Sequence, residues 1–233
     1  MKTRVALLAF LASFALNFVW LVGPLDWRMP LVALGAWYLA DLMSGLVHMY
    51  MDYLPCTPGN GMAELFFYEG SRASDDYAAL RDAVFARVNP LERVLYDFKV
   101  HHPRPESLGR RTLIYQVKST VFFATLPFSL GLNIACLLWR VPNWLVLGAI
   151  VAMTAGTLSQ YFHGSLHREH NPWIITFLRK LGLLMTPEAH AKHHATLQRD
   201  FATINGWSNP VVNILFRFLM RRDLLNASGL EPT

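Results

Sequence analysis

The sequence predicts an all-α integral membrane protein, in which four transmembrane helices carry a helical cap on the cytoplasmic side. Of the 233 residues, 53% are hydrophobic and only 16% are charged, whereas soluble domains contain about 25% charged residues. The mean hydropathy of +0.27 fits lipid as the surrounding solvent. Four apolar runs are long enough to cross a bilayer, and basic residues are unevenly distributed around them.

The four predicted spans cover about residues 5–22, 30–53, 113–139 and 144–167. Each approaches the roughly 20 apolar residues that a transmembrane helix needs. Pro127 predicts a kink in the third span. We therefore expect one membrane-embedded domain over residues 1–233, with a loop at 54–112 and a tail at 168–233.

The first run has a second interpretation as a cleaved signal peptide, because Lys2 and Arg4 precede it. It exceeds the apolar core of about 7–15 residues that is usual in such signals. No clear cleavage site of small residues follows it. These two features favour a transmembrane helix.

The basic residues predict the orientation. Of 21 Lys and Arg residues, only Arg28 and Arg140 lie in the two short turns between spans one and two and between spans three and four. Because cytoplasmic segments are enriched in Lys and Arg, we expect both termini, the long loop and the tail to be cytoplasmic. The net charge of +5 is then explained by a basic surface beside anionic lipid, with no need for nucleic acid.

The loop and the tail are predicted to be partly helical. Residues 76–98 follow an amphipathic pattern that is interrupted at Asn89-Pro90. Residues 173–185 are mostly apolar, with Arg179 and Lys180 among them, which is typical of a helix lying in the membrane interface.

All nine histidines fall at or beyond a predicted cytoplasmic boundary of the membrane. Residues three or four apart share one face of a helix, so closely spaced histidines can bind a common ion. Four chain segments each offer two or more ligands: His48 and Asp52, His101 and His102, His163 and His167, and His190 with His193 and His194.

This set predicts two metal ions. A single zinc site uses three or four protein ligands, and eight histidines plus Asp52 are too many for one. His170 is left out, since it can simply be solvated. Asp41 lies one heptad before His48 and is interpreted as the hydrogen-bond acceptor for a ligand histidine, with a structural bond to another span as the alternative. Gly45 allows a neighbouring helix or a substrate chain to approach closely.

The ligand type does not choose the metal, because imidazole binds zinc, copper, iron and nickel. Iron is favoured if the substrate is a lipid chain, since unactivated C–H bonds need redox chemistry that zinc lacks. The two cysteines, Cys56 and Cys136, cannot supply an iron–sulfur cluster, and no nucleotide-binding motif is present. Electrons would therefore come from a partner.

At these residues the sequence resembles the Kua-type lipid desaturases, which include plasmanylethanolamine desaturases and a plant plastid desaturase acting on phosphatidylglycerol. The resemblance covers roughly residues 35–55 and 98–215, in order. It is carried by the segments Asp41–Asp52, His101–Pro105, His163–His167 and His190–His194, with Asn205-Gly206-Trp207 after them.

The resemblance implies a four-span fold, a di-iron centre, molecular oxygen and an external electron donor of the cytochrome or ferredoxin type. The implied iron ligands are the eight histidines named above, with Asp52 at an acidic position of the family. Two features depart from the family pattern. Arg110-Arg111 stands where plasmanylethanolamine desaturases have a histidine, and the loop at 54–97 is longer than usual, with no assigned role.

The leading hypothesis is oxygen-dependent desaturation of a phospholipid alkyl or acyl chain, with formation of a vinyl ether as in plasmalogens as one form. Hydroxylation by the same centre is not separated from it by the sequence. Two other classes stay open: a zinc-dependent membrane hydrolase, and a non-catalytic metal-binding membrane protein.

Overall fold

The computed structural model describes residues 2–233 and contains only helices and loops over that range. Twelve α-helices follow one another along the chain. They are α1 Lys2–Val19, α2 Arg28–Tyr53, α3 Met62–Phe66, α4 Asp75–Arg87, α5 Pro90–Val100, α6 Glu106–Gly109, α7 Leu113–Thr120, α8 Leu126–Leu138, α9 Asn143–Leu166, α10 Trp173–Lys180, α11 Pro187–Thr196 and α12 Asn209–Arg221.

Three helical segments are long and apolar enough to cross a membrane: Arg28–Tyr53, Leu113–Leu138 and Asn143–Leu166. They confirm the helices of the second, third and fourth predicted spans. The first predicted span, 5–22, corresponds to the shorter helix α1, which ends at Val19, before Gly23-Pro24. Its 18 residues measure about 27 Å, slightly less than a hydrocarbon core of roughly 30 Å. A fourth crossing therefore stays a prediction.

Helices α1 and α8 are joined by buried polar side chains. Asn17 Nδ2 donates to Ser129 Oγ at 2.7 Å, and the hydroxyls of Ser13 and Ser129 lie 2.8 Å apart. Asn133 Nδ2 donates to the carbonyl of Ser13 at 2.9 Å. Such bonds hold apolar helices together where burial of apolar surface gives little driving force. They attach α1 to the bundle formed by the long helices.

The predicted irregularity at Pro127 takes the form of a π-helical turn. Residues Val121–Thr125 form this turn between α7 and α8, and Pro127 lies in the first turn of α8. Proline lacks the N–H that would continue the ladder, and its ring crowds the carbonyl four residues earlier. The wider turn accommodates both effects within one continuous helical segment.

The loop between α2 and α7 is a small helical unit with its own core. The predicted interruption at Asn89-Pro90 is confirmed, because α4 ends at Arg87 and α5 begins at Pro90. Asn89 Oδ1 accepts from the Glu92 N–H at 3.0 Å, while Glu92 Oε2 accepts from the Asn89 N–H at 3.1 Å. This capping box starts α5 at a defined residue, and α5 leads directly into His101 and His102.

The tail packs back onto the long helices. The predicted helix at 173–185 ends earlier, at Lys180, and Gly182 adopts a φ of +69° in the turn that follows. Beyond α11, the backbone carbonyl of Ile204 accepts from the Met185 N–H at 2.7 Å. The segment 201–208 then lies against α2, with α12 beyond it.

At Gly45 the tail approaches α2 closely. A Cβ atom there would lie 3.1 Å from the backbone nitrogen of Ala202 and 3.1 Å from Val212 Cγ2. The predicted close approach is therefore confirmed, and the neighbour is the tail of the same chain.

We predict that Gly45→Val destabilises the protein by about 1–3 kcal/mol through overpacking. The matched control is Gly35→Val in the same helix, because a Cβ at Gly35 meets nothing within 4 Å. The thermal unfolding midpoint in mild detergent is the measurement. Equal midpoints for the two variants would contradict the proposed packing.

Candidate metal centre

The nine predicted ligand side chains converge in two adjoining groups. The ligand atoms of each group all lie within 4.8 Å of one another. The first group contains His101, His163, His167, His190 and His194, and the second contains His48, Asp52, His102 and His193. His170 is exposed and belongs to neither group.

Four parts of the fold position these side chains. The C-terminal ends of α2 and α9 provide two ligands each, at a spacing of four residues. The turn after α5 provides His101 and His102, and α11 provides the remaining three. The two adjacent histidines of the turn separate into different groups, as do His193 and His194. Consecutive residues therefore connect the two groups covalently.

In the first group, ring nitrogens face one another at distances that a shared cation explains. His190 Nε2 lies 3.1 Å from His163 Nε2 and 3.2 Å from His194 Nε2. One imidazole nitrogen offers a single proton or a single lone pair, so it cannot make both contacts as good hydrogen bonds. Ligands at about 2.0–2.1 Å from one ion are separated by roughly 3.0–3.4 Å. The buried Nε2 atoms of His101 and His167 have no hydrogen-bond partner, which also fits metal ligation.

The second group is built around the carboxylate of Asp52, which is fully buried. Its Oδ2 lies 3.4 Å from the Nε2 atoms of His48 and His193, and its Oδ1 lies 3.4 Å from His102 Nε2. Neither carboxylate oxygen has a hydrogen-bond partner. Burying an ionised carboxylate is costly unless it is paired or coordinates a metal. These residues therefore fit a metal ion held by three imidazoles and one carboxylate.

Backbone carbonyls orient three of the imidazole rings by accepting hydrogen bonds from the Nδ1 atoms, which face away from the ligand groups. His48 Nδ1 donates to the Phe201 carbonyl at 2.8 Å, and His193 Nδ1 donates to the Arg199 carbonyl at 2.9 Å. His101 Nδ1 bonds in the same way to the carbonyl of Phe98. With the proton on Nδ1, the lone pair is on Nε2 and faces the group interior.

Four of the histidines outside the spanning helices are held neutral. Burial and neighbouring imidazoles lower the pKa of His194 to about 3. The same causes, with burial the largest, depress the pKa of His101, His102 and His190 well below the ordinary value. A neutral imidazole is the form that binds a metal, so these rings offer lone pairs at pH 7.

Asp41 corrects one expectation. Its buried carboxylate does not accept from a ligand histidine in the described chain; it accepts from the tail. Oδ1 receives the N–H groups of Ile204, Asn205 and Gly206 at 2.9–3.2 Å. Oδ2 receives the N–H and hydroxyl of Ser208 at 3.0 and 2.7 Å. The backbone of residues 204–208 turns so that four of its N–H groups point toward the Asp41 carboxylate. The spacing of residues along α2 gives no information about that turn. The alternative, a structural bond to another span, also differs from the structure, because residues 204–208 belong to the tail.

Lys99 supports the site and was not identified from the sequence. Its side chain is fully buried, and its ammonium group donates to the carbonyl of Asp52 at 2.8 Å and to that of Gly229. It thereby joins the end of α2 to the C-terminal segment. The sequence did contain a signal for Lys99: it lies on the same amphipathic helix as the buried residues Leu95 and Phe98, where a charged side chain is unexpected.

Arg110 and Arg111 lie outside both ligand groups. Arg111 forms an ion pair with Asp97 at 2.6 Å, and Arg110 is exposed. The departure from the family pattern therefore involves residues outside both ligand groups.

A bundle of long apolar helices with two adjoining histidine-rich groups at the ends of two of them defines a membrane protein with a candidate two-metal centre. The chain belongs to the lipid desaturase domain family, whose model matches residues 83–231. This confirms the resemblance to the Kua-type lipid desaturases. The match includes seven of the nine ligands, and His48 and Asp52 precede it.

A plasmanylethanolamine desaturase from Myxococcus xanthus is 25% identical over 141 residues. That alignment covers 58% of this chain and 48% of the relative, so the chain spans about half the length of the relative. No solved structure matches the chain.

We predict that His193→Ala lowers the metal content of the purified protein, with loss of the ion from the second group. His170→Ala is the matched control and retains the full content, because its ring is exposed and outside both groups. Elemental analysis of protein purified in mild detergent measures the ratio of metal to chain. Equal metal content in the two variants would contradict the assignment.

We predict that Asp41→Asn lowers the free energy of unfolding by about 2 kcal/mol, because an amide cannot accept all five bonds and carries no charge. Asp82→Asn is the control, since that side chain is 73% exposed and pairs only with Arg81. Its expected change is within about 0.5 kcal/mol. Denaturant titration in detergent is the measurement, and equal changes would refute the anchoring role of Asp41.

Proposed function

We propose that this protein is a di-iron lipid desaturase, which uses molecular oxygen to introduce a double bond into a phospholipid alkyl or acyl chain. The observation that carries the proposal is the pair of adjoining ligand groups at the ends of two long apolar helices. Membership of the lipid desaturase family supports the same reaction class.

The ligand composition of the two groups supports two redox-active metal ions. It argues against a structural site, in which protein ligands fill every coordination position. The first group offers five imidazoles, and the second offers three imidazoles and one carboxylate. An octahedral ion in either group keeps at least one position for oxygen or water. Bound iron would supply the oxygen chemistry that removes hydrogen from unactivated C–H bonds.

The residues of the chain hold, orient and shield this centre. The carbonyls of Phe98, Arg199 and Phe201 fix three imidazoles, so that their Nε2 atoms face inward. The complete burial of Asp52 and the near-complete burial of His48 keep bulk water away from the second group. Rings held in place before substrate arrives need no rearrangement during the reaction.

The overall reaction requires an external electron donor. Oxygen is reduced to two molecules of water by two hydrogens of the lipid chain together with two electrons and two protons from outside. The chain contains two free cysteines and no nucleotide-binding motif, so we assign the electrons to a partner of the cytochrome or ferredoxin type. The excess of basic residues in the long loop and the tail supports a cytoplasmic location for the site and for both termini.

The relative from Myxococcus xanthus is named a plasmanylethanolamine desaturase, which supports an ether phospholipid as substrate and a vinyl ether as product. Arg110-Arg111 differs from that branch of the family and leaves a double bond in an acyl chain as the alternative product. The two products are chemically distinct, since acid cleaves a vinyl ether and leaves an alkene intact.

We predict that cells expressing the protein accumulate a phospholipid lacking two hydrogens, and that this product requires oxygen. His48→Ala abolishes the product, whereas His170→Ala leaves it unchanged. Lipid mass spectrometry, with and without mild acid, identifies the product. The proposal is wrong if active preparations contain zinc in place of iron, or if a hydrolysed lipid forms without oxygen.

A further inference from the structure

Helix α12 has an apolar face that packs on the protein. Val212 and Phe216 are buried, one helical turn apart, in a cluster with Met49, Tyr53 and Phe201. This face holds α12 against the C-terminal half of α2. The remaining faces of α12 are open.

A second apolar face of α12 has no partner within the described chain. Val211, Ile214, Leu215 and Phe218 are 48%, 62%, 36% and 51% exposed, respectively. Their spacing of three, four and seven residues places them on one side of the helix. A contiguous exposed stripe of large apolar side chains marks a contact with a membrane or with another protein.

Arginines border this stripe. Arg217 and Arg221 are exposed, and neither forms an ion pair with any residue of the described chain. Arg222, next to the end of α12, lies with its guanidinium 5.6 Å from the ring centre of Phe218. Long basic side chains beside an apolar face are typical of helices lying on a bilayer, because they reach the lipid phosphates while their stems stay in contact with apolar surface.

The contact of α12 with α2 favours lipid as the partner of the exposed apolar face of α12. Val212 contacts α2 at Gly45, at a level where Met43 and Val47 of α2 are 56% and 43% exposed. Helix α2 is one of the three helices able to cross the membrane, so its exposed apolar side chains face lipid. Because α12 packs against this spanning helix, we infer that its open stripe faces the same lipid.

We propose that α12 lies in the membrane interface, with Val211, Ile214, Leu215 and Phe218 among the acyl chains and Arg217 and Arg221 on the phosphates of anionic lipids. None of these α12 side chains belongs to either ligand group. This surface anchors the tail segment that supplies the Phe201 carbonyl to His48.

The test uses the full chain in lipid nanodiscs, with a nitroxide label on single cysteines that replace Ile214 or Phe218. Cys136 is replaced by serine, and buried Cys56 is retained. The reference for a lipid-facing position is Phe123→Cys, whose side chain is 68% exposed within a spanning helix. The reference for water is Asp82→Cys. Collision rates with oxygen and with a water-soluble nickel chelate are measured at each position.

Labels at 214 and 218 are expected to match the label at 123, with several-fold more collisions with oxygen than with nickel. A match to position 82 would overturn the proposal. Exclusion of both reagents, or broadening by a second label, would also overturn it, because a protein surface would then cover the stripe.

The arginines are tested in the same system with phosphatidylglycerol in place of phosphatidylcholine. The anionic lipid should reduce the nickel collisions of label 218, and Arg217→Gln with Arg221→Gln should remove this dependence. No effect of the lipid in the unmodified helix would overturn the phosphate contacts. Because the side chains at 82, 123, 214, 217, 218 and 221 are exposed, these variants are expected to keep the thermal midpoint of the Cys136→Ser parent, which confirms that they fold.

Discussion

The fold depends on bringing nine ligand atoms from four chain segments into one small buried volume. The carboxylate of Asp52 is fully buried and has three imidazole nitrogens at 3.4 Å. An ionised carboxylate buried among imidazoles is costly without a balancing charge, so the arrangement fits a cation held at this point. Every segment that supplies a ligand must therefore be held firmly against the end of α2, and much of the remaining polar structure serves that purpose.

Two buried charges fasten the tail to the spanning helices. Asp41 accepts five hydrogen bonds from the segment between Ile204 and Ser208, and Lys99 donates to carbonyls of Asp52 and Gly229. The Asp41 contact lies about three helical turns before Asp52 along α2, and the Lys99 contact lies at Asp52 itself. Between them runs the segment whose Phe201 carbonyl orients His48, so these charges support a ligand without touching a metal.

The long loop acquires a role in this arrangement. Residues between α2 and α7 form a compact unit with its own apolar core, which includes Met62, Val84 and Leu95. The capping box at Asn89 defines where α5 begins, and the far end of α5 delivers His101 to one group and His102 to the other. A loop that looked unassignable in the sequence therefore works as a rigid support for two ligands.

By itself the sequence identified the nine side chains that the structure brings together, because helical spacing and the concentration of histidines at one predicted boundary are local properties of the chain. It also determined the three long helices and the break at Asn89-Pro90, which depend on apolar length and on capping. Only the tertiary structure decided how the ligands divide into two groups, since adjacent residues such as His101 and His102 belong to different ones. It also decided the partner of Asp41 and the role of Lys99, because hydrogen bonds across more than a hundred residues leave no periodicity in the sequence.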